Sequence, residues 1–158
     1  MSTGMGKVTV SGDDARIEFE RTIRAPQTTV WRALTDPSIV SDWLTPGSID
    51  AHTGGELSLD FGEGGVVSGR VLEADPPNRL VYTWVMDGQM NSVVEWTLAE
   101  HADGCHLTLV HRTVPVPMSA GYAPGWHAFL DRLEAAALGA PLPDWDERSR
   151  QIAAHYSP

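Results

Sequence analysis

The chain has 158 residues, 11 of them basic and 21 acidic, for a formal charge of −10 and a pI near 4.8. That length suits one domain, and the surplus acid argues against nucleic acid and anionic membrane as partners, since both select basic patches. A single cysteine, Cys105, excludes an intrachain disulfide framework and points to a reducing, cytoplasmic setting. No apolar run reaches the ~20 residues that a bilayer span needs, and the N-terminus has no basic-then-apolar signal pattern.

The elements follow in chain order. Lys7-Val8-Thr9-Val10 and the turn residues after it read as a short leading strand. From Ile17 to Arg24 apolar and polar residues alternate, which is the period of a strand with one buried face. Arg21 falls in the apolar phase of that strand. Pro26 opens a helix over 27–35 with Val30, Trp31 and Leu34 at helical spacing, and Asp36-Pro37 caps a second short helix carrying Trp43. Residues 45–69 hold seven glycines around one alternating strand, Glu56 to Phe61. Strands over 66–73, 80–86, 93–98 and 106–111 follow, with Asp87-Gly88 as a hairpin signal between two of them. The period then changes. From Pro124 to Leu138, Trp126, Phe129, Leu130 and Leu133 form one stripe, and Gly139 supplies the stop. A weak last helix runs from Asp144 to about His155 and carries Trp145, Ile152 and Tyr156.

These elements describe an α+β fold: a curved antiparallel sheet wrapped around a long C-terminal helix, with two short helices after the first main strand. The sheet has an apolar face that needs cover, and the long helix is the one large element available. The wedge between them is the expected site of a ligand cavity.

The residues also carry a resemblance. Glu20-Arg21-Thr22-Ile23-Arg24-Ala25-Pro26, Val30 to Pro37 with Trp43, Asp75 to Leu80, Tyr82-Thr83-Trp84, Leu107 to His111 and Gly125 to Leu133 together resemble the START-related (birch-pollen-allergen-like) helix-grip superfamily. Within it the chain is most similar to the activator of heat-shock-protein-90 ATPase homologue-like family, also called the SRPBCC domain. The resemblance covers about 15–139, leaving 1–14 as an N-terminal strand-and-turn extension and 140–158 as a C-terminal one. It implies a hydrophobic pocket between sheet and helix, in a superfamily whose members bind or modify lipids, polyketides or hormones. The eukaryotic namesake stimulates a chaperone ATPase through a protein surface, so a protein partner is a second expectation. A cyclase- or dehydratase-like enzyme acting on a polyketide-type ligand is a third.

Strand phase selects the residues that face the wedge. The candidate ligand-binding set is Arg21, Trp43, Phe61, Tyr82, Trp84, Trp96, His111, Trp126, Phe129 and Leu130. Greasy walls with a few oriented polar groups make a small-molecule site, although the same aromatics serve equally as core. His111 and Tyr82 are the candidates for proton transfer. No acid phased beside His111 completes a dyad, so a hydrogen-bonded core histidine is the plainer reading. Arg21 either holds an anionic ligand group or pairs with a carboxylate, because a buried cation needs a partner. His101, His106 and His111 are five apart, which turns the last two to opposite strand faces; no metal site or cofactor motif emerges. The expected partner is a small apolar ligand, bound by a monomer or homodimer.

Overall fold

The alternation at the start of the chain builds the edge of a large sheet. The computed structural model describes residues 6–86 and 90–153. In it β1 (Lys7–Ser11) pairs antiparallel with β2 (Asp14–Ile23) through a tight turn in which Gly12 takes a left-handed φ of 62°. Along β2, Ala15, Ile17, Phe19, Arg21 and Ile23 are buried, while Asp14, Arg16, Glu20 and Thr22 are exposed. Arg21 thus keeps the inward phase of its apolar neighbours.

Two helices, α1 (Gln27–Thr35) and α2 (Pro37–Trp43), carry the chain from β2 to the far edge of the sheet. Asp36 accepts the Ser38 amide at the start of α2 and Pro37 sits in its first turn, as the sequence predicts. The sheet then builds back as a meander: β3 (Gly47–Ile49), β4 (Glu56–Asp60), β5 (Val66–Asp75), β6 (Arg79–Met86), β7 (Met90–His101) and β8 (Gly104–Pro115). Strand β8 closes against β2, giving eight antiparallel strands in the order β1-β2-β8-β7-β6-β5-β4-β3. β3 is an addition to the sequence reading; at three residues it is too short to show alternation. The Asp87-Gly88 signal lies outside the described residues, although Met86 pairs with Met90 across it.

The curved sheet wraps around α3 (Val116–Leu138), and α4 (Trp145–Ala153) packs on α3 in turn. Residues 155 and 156, assigned by sequence to the last helix, lie outside the described residues. The helix-grip fold expected from the sequence is the one observed. One boundary needs correction: α3 starts eight residues earlier than the expected Pro124, at Val116. Pro117 occupies the first turn, where its missing N–H costs nothing, while Pro124 sits inside the helix and withholds the bond its N–H would give to the Ala120 carbonyl. Met118 and Tyr122 pack against the core and hold the added turns in place. Read from sequence alone, the two prolines hide this stretch.

The core forms between the sheet and α3. Leu80, Tyr82 and Trp84 from β6, Val94, Trp96 and Leu98 from β7, and Leu107, Leu109 and His111 from β8 are all buried with Trp126, Leu130 and Leu133 from α3. Each of these inward phases follows the sequence alternation. No helix among the described residues is long and apolar enough to cross a membrane.

Candidate functional site

Where the sheet splays from α3, the packing leaves a cavity of about 710 Å³. One wall is a stripe of α3. Met118, Tyr122, Trp126 and Phe129, with Pro117, Gly121 and Gly125 beside them, recur at three- and four-residue steps and so share one helix face. Trp84 and Met86 of β6 supply the opposite wall, two residues apart and therefore on the same face of the strand. Phe61 and Gly64 come from the single 3-10 turn after β4, and Leu44 and Thr45 from the end of α2. Trp145 and Asp146, at the start of α4, complete the rim.

The aromatic members touch one another in tilted and edge-on arrangements that aromatic quadrupoles favour. Trp84 lies 5.3 Å from Trp126 and 5.9 Å from Phe61, centroid to centroid. Phe129 is 6.1 Å from Trp126, 6.2 Å from Phe61 and 5.2 Å from Trp145. Polar groups are few. Trp84 Nε1 donates to the Tyr122 hydroxyl at 3.2 Å, which leaves that hydroxyl's own hydrogen available to an acceptor. Burial pushes the Tyr122 pKa up, so the group stays a neutral donor. Trp145 Nε1 donates to the Gly125 carbonyl at 3.2 Å and seats α4 on α3. Among the described residues, Asp146 is the one charged side chain in the wall.

Four residues of the sequence-derived set therefore line the cavity: Phe61, Trp84, Trp126 and Phe129. Tyr82, Trp96, His111, Trp43, Leu130 and Arg21 lie behind it. Trp43 gives its Nε1–H to the Ala33 carbonyl at 2.6 Å and packs edge-on against Trp96. Trp96 in turn donates to the Tyr82 hydroxyl at 3.0 Å. Leu130 is buried in the core cluster. Arg21 donates to Asp131 of α3 at 2.7 Å, with Glu134 at 3.9 Å, so its charge is met by the helix above it.

His111 is fully buried, and both ring nitrogens are in use. Nδ1 accepts from Trp126 Nε1 at 2.9 Å, which makes Nε2 the protonated nitrogen, donating to Ser92 Oγ at 2.8 Å. Ser92 passes its own hydrogen to the Trp84 carbonyl at 2.9 Å. Burial pushes the His111 pKa down to about 3, so the ring is neutral at physiological pH. This Ser–His contact has the spacing of a nucleophile–base pair, yet the serine is fully buried and its proton is already committed. Tyr82 is likewise sealed, and burial raises its pKa. The chemistry this arrangement offers at the cavity is binding by apolar contact with a few hydrogen bonds.

Among the described residues, no three His, Cys, Asp or Glu side chains converge to hold a metal ion. Among the lining residues that sequence reasoning missed, two groups carried a readable signal. The turns of α3 before Pro124 contribute Met118, Gly121 and Tyr122, whose spacing continues the Trp126 and Phe129 stripe backwards. Trp145 carried a different signal: a large aromatic in a polar tail needs apolar surface to cover.

Comparison with known proteins places this architecture. The family model described as Activator of Hsp90 ATPase homolog 1-like protein matches residues 24–137. CalU16 from Micromonospora echinospora is 30% identical over 96% of this chain and 92% of its own, with a TM-score of 0.77. MLL2253 from Mesorhizobium loti is 29% identical over 80% of this chain and 99% of its own, with a TM-score of 0.75. DynU16, from the dynemicin biosynthetic locus, is 30% identical with a TM-score of 0.68; the match covers 85% of this chain and 51% of DynU16. No curated protein matches the chain. On the extent of the family match and the shared helix-grip fold, the chain belongs to the Activator of Hsp90 ATPase homolog 1-like family.

Proposed function

We propose that this protein binds a small hydrophobic ligand in the cavity between its sheet and α3. The observation that carries the reading is the cavity itself: about 710 Å³, walled by six aromatic side chains and by Met86 and Met118. Ligand pockets span roughly 300–1,000 Å³ and combine apolar walls with a few placed polar groups. A core left unfilled on this scale forfeits dispersion contacts, and a bound molecule restores them. The site is built by the helix-grip domain at 15–139 together with the 140–158 extension, which contributes Trp145 and Asp146. The location of DynU16 in a biosynthetic locus fits a small organic molecule as the ligand class.

Titration with N-phenyl-1-naphthylamine tests the reading. Trp84, Trp126 and Trp145 line the cavity, so occupancy quenches tryptophan emission as the probe brightens, and both signals saturate at one site per chain. Native mass spectrometry of freshly purified protein is expected to retain a small-molecule adduct. Absence of saturable probe binding overturns the proposal.

A further inference from the structure

Among the described residues, the cavity wall contains no arginine, lysine or histidine, and its one charged group is the Asp146 carboxylate at the rim. Among the described residues that carboxylate takes part in no ion pair. Its neighbour Asp144 is already used, accepting the Glu147 amide at 2.9 Å to cap α4. An anionic ligand would meet repulsion at the rim and, further out, the field of a chain with net charge −10. A cation would meet attraction from Asp146 and from the π-faces of the surrounding rings.

Gly121 adds the shape. Glycine is the poorest helix former after proline, and here it sits inside α3 with a helical backbone. No neighbour demands it: a Cβ built at Gly121 meets nothing within 4 Å. Gly125, one turn on, is different, because its Cβ would stand 3.5 Å from the Trp145 ring. Gly121 is exposed and lines the cavity, with open space where its side chain would stand, so a flat group has room to lie against the helix backbone.

We infer that the ligand class is a planar aromatic molecule bearing a protonated amine, its rings lying along Gly121 between Trp84 and Phe129 and its ammonium group at Asp146. This rests on the cavity being a ligand site. Asp146 also stands in the first turn of α4, where an acidic side chain favours the helix dipole. A dipole role alone leaves ligand selectivity untouched, so selectivity is the readout that matters.

Isothermal titration of the full chain with three matched probes provides the test: 2-(1-naphthyl)ethylamine, 2-(1-naphthyl)ethanol and 1-naphthylacetate. The amine is expected to bind tightest and the carboxylate weakest. The step from alcohol to amine is about two- to fivefold, the size of an exposed ion pair. Asp146→Asn is expected to remove that step and to leave alcohol affinity unchanged. Gly121→Leu, whose side chain projects into open space, is expected to weaken all three probes at least about tenfold without lowering the melting temperature. If the three probes bind equally and Gly121→Leu blocks them, the amine preference is overturned while the cavity stands as a ligand site. Carboxylate binding as tight as amine binding, or an Asp146→Asn variant that keeps the full order, also overturns the preference. If no probe binds saturably, both readings fall together.

Discussion

Trp126 gives its indole N–H to Nδ1 of His111 across 2.9 Å, joining α3 to β8 where both rings are buried. The bond fixes the histidine tautomer and leaves its charged form with no counter-ion, so burial holds the pKa near 3 against an ordinary 6.5. In the unfolded chain the ring protonates freely. Between those two values the unfolded state therefore binds more protons, and stability falls as pH falls. At neutral pH, His111→Leu is expected to cost about 1–3 kcal/mol, because the Trp126 donor and the Ser92 acceptor each lose a partner. The gap between wild type and variant is then expected to narrow by about 2 kcal/mol from pH 7.5 to pH 5. Urea unfolding of both proteins at the two pH values checks it; a constant gap shows a histidine that titrates normally in the fold.

Asp131 joins three elements, accepting from Arg21 of β2 and from Arg148 of α4, each at 2.7 Å. Burial pushes its carboxyl up, but the Arg148 and Arg21 guanidiniums outweigh that and hold its pKa below the usual carboxylate value. Its contribution is thus present above about pH 4 and lost as pH falls through the lowered pKa. Asp131→Asn removes the carboxylate closest to the buried Arg21 and leaves Glu134 at 3.9 Å. The expected cost lies toward the lower end of about 3–5 kcal/mol. Arg148 is more exposed, and Arg148→Ala is expected to cost no more than about 1 kcal/mol. Chemical denaturation of the two variants separates the buried link from the surface one, and equal losses would contradict the asymmetry.

These two links show which parts of the molecule its sequence makes legible. Strand phase is local, so Ile17, Phe19 and Ile23 announce a buried face, and Arg21 among them announces a buried cation. Which carboxylate meets that cation is not local. Asp131 lies 110 residues away and is selected by how α3 crosses β2. The cavity divides in the same manner. Phe61, Trp84, Trp126 and Phe129 follow from alternation and helical period, whereas His111 and Tyr82 share the inward phase but sit beneath other side chains. Periodicity reports which face a residue occupies; depth beneath that face depends on packing. Pro124 hid the first turns of α3 because tertiary contacts by Met118 and Tyr122 override the local signal.

Tyr82 offers a test of that distinction between face and depth. Its hydroxyl accepts from Trp96 Nε1 at 3.0 Å, and neither side chain lines the cavity. Tyr82→Phe strands a buried indole donor, with an expected loss of about 1–3 kcal/mol. Affinity for 2-(1-naphthyl)ethylamine is expected to stay within about twofold of wild type, since an added cost buried in the core is common to free and bound protein. Urea unfolding and calorimetric titration of one sample read both quantities. A large loss of affinity at unchanged stability would place Tyr82 in direct contact with ligand.

Trp145 joins the C-terminal helix to the cavity, its ring 5.2 Å from Phe129 and its Nε1–H on the Gly125 carbonyl. Trp145→Ala removes an aromatic pair worth about 0.5–1.5 kcal/mol and opens the rim. Because the ring forms part of the wall, the expected kinetic signature is faster dissociation of N-phenyl-1-naphthylamine with little change in association. Trp145→Phe keeps a ring against Phe129 but loses the bond to Gly125, so its dissociation rate should fall between those of wild type and Trp145→Ala. Stopped-flow displacement measures all three rates. If they coincide, α4 merely packs on α3 and takes no part in holding the ligand. If they rank as expected, Trp145 is a working wall of the site, and the extension beyond Gly139 belongs to the binding unit.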